Sequence, residues 1–125
     1  MEYEYTLTLN SEQAKETIKA VEFLMRLKLK QFDVLPYNVI DIARKDYCEK
    51  RDAAKPLLDQ LEYVFFPTWD EVKKDDEWYR LYNLYQVLRY AVHCAENPQG
   101  VGVDSYPPIK FTDEPLPECK WRKKE

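Results

Sequence analysis

The sequence predicts an α+β fold: an N-terminal strand that pairs with short C-terminal strands in a small antiparallel sheet, packed on a middle of three to four helices. Three observations predict it. Residues 2–9, EYEYTLTL, alternate with period two; residues 11–95 place apolar side chains every three or four positions; and beyond residue 96 short apolar pieces lie between prolines. With 125 residues, the expectation is one domain, 1–125.

In the first strand Tyr3, Tyr5, Leu7 and Leu9 face one way and Glu2, Glu4, Thr6 and Thr8 the other. Asn10 and Gln13 then read as a capping box, each side chain serving the other's backbone N–H. The next helix carries Ala14, Ile18, Val21, Met25 or Leu24, Leu29 and Phe32 on one stripe, with Phe23 and Leu27 on an adjoining one. So wide an apolar arc suits a core plus a subunit partner. Pro36 disfavours helix at Leu35, so this helix is expected to end near Asp33.

A second helix is expected over 38–51. A third restarts at Asp52 or Ala54, where Pro56 fits a first turn, and presents Leu57, Leu58, Leu61, Val64 and Phe65 until Pro67. A charged connection leads to the last helix, 77–95, whose expected core face is Trp78, Leu81, Leu84 or Tyr85, Leu88, Val92 and Ala95. Pro98 and Gly100 end it. The remaining strands are placed at 101–105, 109–111 and 118–121, because the first strand requires a ladder partner.

Composition narrows function. Two glycines, at 100 and 102, leave no glycine-rich phosphate loop. A net charge of −4 argues against a dedicated DNA binder. No apolar run approaches the ~20 residues of a membrane span, and the N-terminus lacks the basic and apolar regions of a signal peptide, which predicts a cytoplasmic protein. Three cysteines without C-x-x-C spacing (Cys48, Cys94, Cys119) read as reduced thiols.

No triad or dyad spacing emerges around the single His93, and adjacent His93 and Cys94 point about 100° apart on a helix, a poor chelate; neither a metal nor a cofactor is expected. The carboxylate pairs Asp75–Asp76 and Asp113–Glu114 read as a solvated loop and a turn. For anions the candidates are Arg26, Arg44, Arg51, Arg80, Arg89 and Lys110. LYNLYQVLRYAVH sets Tyr82, Tyr85 and Arg89 on nearby turns of one helix, with His93 a turn further. That pattern is either a core-edge tyrosine stripe beside a solvated arginine, or a pocket that stacks a base and holds a phosphate. The basic end, KWRKK, contains Trp121, an aromatic that should pack on this subunit or another.

Two stretches resemble a group of small phage-encoded proteins. LTLNSEQAKETIKAVEFLMRLKLKQF resembles their opening, with Arg26 followed by Gln31–Phe32; YNLYQVLRYAVH, an Asn-Pro turn and VGVDSYPPIKFTDEPLP resemble their ending. Lys30 stands where a glycine commonly precedes the glutamine. The group includes phage anti-Thoeris proteins of the first type and related small phage proteins of unknown function. The former are sponges that sequester cyclic ADP-ribose signals made by bacterial TIR-domain proteins. The resemblance implies a non-catalytic, phage-encoded trap in the host cytoplasm, built as a homodimer or higher homo-oligomer, for a cyclic ADP-ribose isomer or another cyclic nucleotide. It implies that Arg26 and Arg89 hold phosphates, Lys110 closes over the ligand, His93, Asn97 and Thr112 contact ribose, and Tyr82 stacks on the base. The alternative is a small protein–protein interaction module that inhibits or adapts a host factor, which would account for the aromatic excess. A nucleotide-processing enzyme would require an acid/base pair that the spacing does not supply.

Overall fold

A computed structural model describes residues 2–124, and among them the fold is all-helical. Four helices follow in order: α1 (Ser11–Lys28), α2 (Val34–Val39), α3 (Tyr47–Phe65) and α4 (Asp76–Glu96), with 3-10 turns at Trp69–Glu71 and Val103–Ser105. The chain divides into two compact units, Met1–Ala20 with Asn83–Glu125, and Val21–Tyr82.

The expected sheet is absent among the described residues, which corrects the α+β reading. Residues 2–9 are irregular, and Tyr3, Tyr5 and Leu7 are exposed, Tyr5 at 90%. Of the expected C-terminal strands, Val103–Ser105 is a 3-10 turn, while 109–111 and 118–121 are irregular. The physical reason lies on α4. Gln86 donates its Nε2–H to the Ile109 carbonyl (2.7 Å) and accepts the Ile109 N–H at Oε1 (2.8 Å). One side chain thereby takes the backbone pair that a ladder would have used. Pro107, Pro108, Pro115 and Pro117 remove four more backbone donors from this stretch.

The first helix starts as the sequence indicates. Asn10 Oδ1 accepts the Gln13 N–H (2.8 Å) and Gln13 Oε1 accepts the Asn10 N–H (3.0 Å). It ends earlier than Asp33, in a paired hydrogen-bond stop: the Gln31 N–H reaches the Arg26 carbonyl (2.9 Å) and the Lys30 N–H the Leu27 carbonyl (3.1 Å). Lys30 occupies the left-handed position at φ 67° that glycine usually takes there. Its ammonium lies 4.8 Å from the centre of the Trp69 ring, a contact glycine could not make. Relief of the backbone strain and loss of this contact are each worth about 1 kcal/mol, with opposite sign. Lys30→Gly should therefore shift the urea midpoint little while changing Trp69 fluorescence; a midpoint shift above about 1 kcal/mol would mean that one of the two dominates.

In the unit 21–82, Phe32 is buried edge-on against Phe65 and Phe66 (5.7 and 6.3 Å), and its N–H is accepted by the Glu62 carboxylate (3.1 Å). Pro36 does not end a helix; it sits buried in the first turn of α2, where the backbone N–H has no helical acceptor anyway. Residues 38–51 are consequently split between α2, a turned segment and the start of α3. Before α3, Arg44 grips both carboxylate oxygens of Asp46 (2.9 and 3.0 Å) and holds that carboxyl below its usual range. The helix then runs unbroken through Pro56, and none of its residues is buried. Asp75 caps α4 by accepting the Trp78 N–H (2.9 Å), a structural role for a residue expected in a solvated loop.

In the other unit the core lies along α4: Val87, Leu88 and Ala91 are buried, and so are the polar Asn83 and Gln86. Lys15 of α1 pairs with Glu96 near the end of α4 (3.1 Å), which raises the lysine's pKa.

Candidate functional site

A shallow concavity lies within the unit 1–20 and 83–125. α4 runs along one side and contributes Tyr90, Ala91 and Cys94. The C-terminal segment lies along the other and contributes Leu116, Cys119 and Trp121. The space between them is about 300 Å³, at the lower edge of ligand-pocket sizes. The cleft exists because the Gln86–Ile109 bonds fasten the segment beside α4, while Pro115 and Pro117 stiffen the chain beyond Ile109.

Its walls are apolar and aromatic, with two thiols. Interaction with the Cys94 thiol, one helical turn on, raises the Tyr90 phenol above its ordinary range. Burial pushes the Cys119 thiol up, so it stays protonated near neutral pH. Trp121 is 55% exposed, one face in the cleft and the rest outside. The segment that supplies it also carries Lys120, Arg122, Lys123 and Lys124, all exposed.

The seven residues singled out from the sequence divide between the two units. Arg26 and Tyr82 belong to 21–82, and both have local roles. Arg26 donates to Glu22 (2.8 Å) and to Gln31 (3.0 Å). The Arg–Gln–aromatic pattern thus builds the end of α1: Arg26 and Gln31 close the helix stop, and Phe32 enters the core. Tyr82 stacks on Trp78, with ring centres 5.2 Å apart and planes 10° apart.

Arg89, His93, Asn97, Lys110 and Thr112 belong to the other unit. Asn97 builds the turn after α4. Its carbonyl accepts the Gly100 N–H (3.0 Å), and its side chain lies against Gly100 where a β-carbon would collide. His93 and Thr112 are half-buried and Lys110 is exposed. Arg89 has the most specialised surroundings. Only 16% of its side chain is exposed, and its guanidinium lies 4.7 Å from the centre of the Tyr85 ring. Its Nε is buried and sits 3.4 Å from Asp104 Oδ1, close enough for ion pairing but without a hydrogen bond.

Sequence reasoning missed Asn83 and Gln86, the polar pair buried on the cleft-bearing helix; Gln86 Nε2 also reaches Asn83 Oδ1 (3.3 Å). Apolar periodicity passes over such residues. The available signal was the need of the C-terminal backbone for partners.

Among the described residues no group of three or more His, Cys, Asp and Glu side chains is gathered as a metal cage, and no helix is long and apolar enough to cross a membrane. No family model, curated protein or solved structure matches this chain.

Proposed function

We propose that this chain is a non-catalytic interaction module, and that its α4 cleft grips an apolar or aromatic side chain of a partner polypeptide whose flanking residues are acidic. The observation that carries this reading is Trp121. A tryptophan set in the wall of an apolar cleft and left half-open, amid four basic residues, matches the anchor-and-rim pattern of protein interfaces. The basic rim would steer an acidic segment into place and the cleft would hold its anchor.

A second reading has its own observation. The Arg89 guanidinium, over the Tyr85 ring with a buried Nε that makes no hydrogen bond, suits the phosphate of a cyclic ADP-ribose-type signal held without hydrolysis. Such a phosphate would have to displace Asp104.

One preparation tests both. Against a displayed peptide library, the selected peptides should carry an aromatic or aliphatic anchor beside Asp or Glu, and Trp121→Ala should weaken them at least ~30-fold, the loss typical of an interface hot spot. Selection of no peptides, or equal binding by the variant, would end the first reading. The same protein incubated with a TIR-generated cyclic ADP-ribose, washed and heated reports on the second by mass spectrometry. Intact nucleotide recovered from the wild type and absent from Arg89→Ala would establish it.

A further inference from the structure

The α4 cleft suits an aromatic anchor flanked by acids, and the chain carries one of its own. Tyr3 stands between Glu2 and Glu4, and residues 2–9 contain no basic side chain. In an extended chain Tyr3, Tyr5 and Leu7 share one side, with Glu2 and Glu4 on the other. Such a segment can turn an apolar edge into a cleft and keep its charges at the rim. It is committed to nothing else: residues 2–9 have no regular structure, and Tyr3 is exposed.

Charge matches the two ends of the chain. Residues 118–124 carry Lys120, Arg122, Lys123 and Lys124 against one acid, Glu118, and all five are exposed. Among the described residues, neither these four bases nor Glu2 and Glu4 form an ion pair. Each set is therefore open to the other.

The segment is also tethered within reach. Asn10 caps α1, and Lys15 pairs with Glu96 at the end of α4 (3.1 Å). The start of α1 thus lies beside the end of α4, in the same compact unit as the cleft. Helical rise sets Asn10 about 7.5 Å from Lys15, and Tyr90 about 9 Å from Glu96. With a helix spacing of ~10 Å across, Tyr90 lies about 19 Å from Asn10. The seven residues from Asn10 back to Tyr3 span about 23 Å when extended, whereas Tyr5 reaches only about 17 Å. Tyr3, the tyrosine with an acid on both sides, is the one that arrives.

We propose that residues 2–9 are a strap that closes over the α4 cleft of the same chain, with Tyr3 beside Trp121 and with Glu2 and Glu4 on the basic rim. The strap lies open in this structure. Closed, it competes with the partner peptide and sets the fraction of the protein that is free to bind. The proposal rests on the reading of the cleft as a peptide-binding site.

The probe is the strap's own sequence, EYEYTLTL, as a free fluorescent peptide titrated against the full chain and followed by anisotropy. Tyr3→Ser should bind it at least ~3-fold tighter than the wild type, the gain expected when about two thirds of the molecules are strapped. Tyr3 is exposed, so the circular dichroism spectrum of this variant should not change. Adding Trp121→Ala to Tyr3→Ser should abolish binding of the peptide. Equal affinity of wild type and Tyr3→Ser overturns the strap and leaves the cleft as a peptide site. A probe that binds neither protein also overturns the strap, while the cleft reading is then decided by the peptides selected from the displayed library. Carbodiimide cross-linking of mixed ¹⁴N and ¹⁵N protein tells closure within one chain from exchange between two. Links from Glu2 or Glu4 to Lys120, Lys123 or Lys124 should join fragments of one isotope only; mixed-isotope links, or no links, refute closure within the chain.

Discussion

Gln86→Ala should loosen the whole C-terminal segment, although the residue lies in the middle of a helix. Gln86 is 3% exposed and fastens Ile109 through both of that residue's backbone groups. Alanine leaves an N–H and a carbonyl without their partner and a void where the amide stood. Together these cost about 2–4 kcal/mol. The change should lower the urea midpoint, speed hydrogen exchange at Ile109 and expose residues 107–124 to limited proteolysis. Gln86→Glu separates the two bonds. A carboxylate still accepts the Ile109 N–H but turns an oxygen towards the Ile109 carbonyl. Its folded pKa should therefore rise, so its stability should recover as pH falls and the group protonates and donates. An unchanged midpoint and protease pattern in Gln86→Ala would show that the segment is held by other means.

Trp78→Ala is the second large effect, and it falls on residues 21–82. Trp78 is 5% exposed, stacked on Tyr82 and edge-on to Tyr79 (5.2 Å). Its indole N–H donates to the Met25 carbonyl (3.3 Å). That carbonyl's regular helical donor, the Leu29 N–H, goes to Arg26 instead, so the indole satisfies an acceptor left over at the end of α1. Removing a buried tryptophan costs about 3–5 kcal/mol, comparable with the total stability of a unit of this size, ~3–9 kcal/mol. The expected outcome is loss of the unit's near-ultraviolet signal at room temperature. Trp78→Phe keeps a ring in the stack and loses the donor, and should cost about 1–2 kcal/mol. If Trp78→Ala melts with the wild-type midpoint, the indole is not the keystone of this unit.

The first and last helices were legible in the sequence because their signals are local, whereas α2 and the start of α3 were not. The capping box, the stripe Ala14–Ile18–Val21–Met25 and the breaker at Pro98 each act within a turn or two. The ends of the chain were not legible, for a non-local reason. EYEYTLTL has the alternation of a strand, but alternation records only which side chains are alike, not whether a neighbour exists to pair with. The partner sought in the C-terminal stretch had already been taken by Gln86, 23 residues away along the chain. Prolines misled in a similar way. Pro36 and Pro56 are breakers in isolation, yet one falls in a first turn and the other is carried inside α3. Of the candidate site, Trp121 and Arg89 could be found because an aromatic in a basic run and an arginine among tyrosines are both unusual. Arg26, Asn97 and Tyr82 were given ligand roles by the resemblance, and each also has a local structural role: a helix stop, a turn and a stacked ring.

The open face of α3 and the exposed N-terminal segment bear on how the protein melts. An unfolded chain of this mass exposes about 21,900 Å², so folding hides roughly 54% of it, against about 60% for a compact unit of half the size. The slope of stability against denaturant and the heat-capacity change both scale with newly exposed surface. Both should be shallow for the lone chain, giving broad, weakly cooperative transitions.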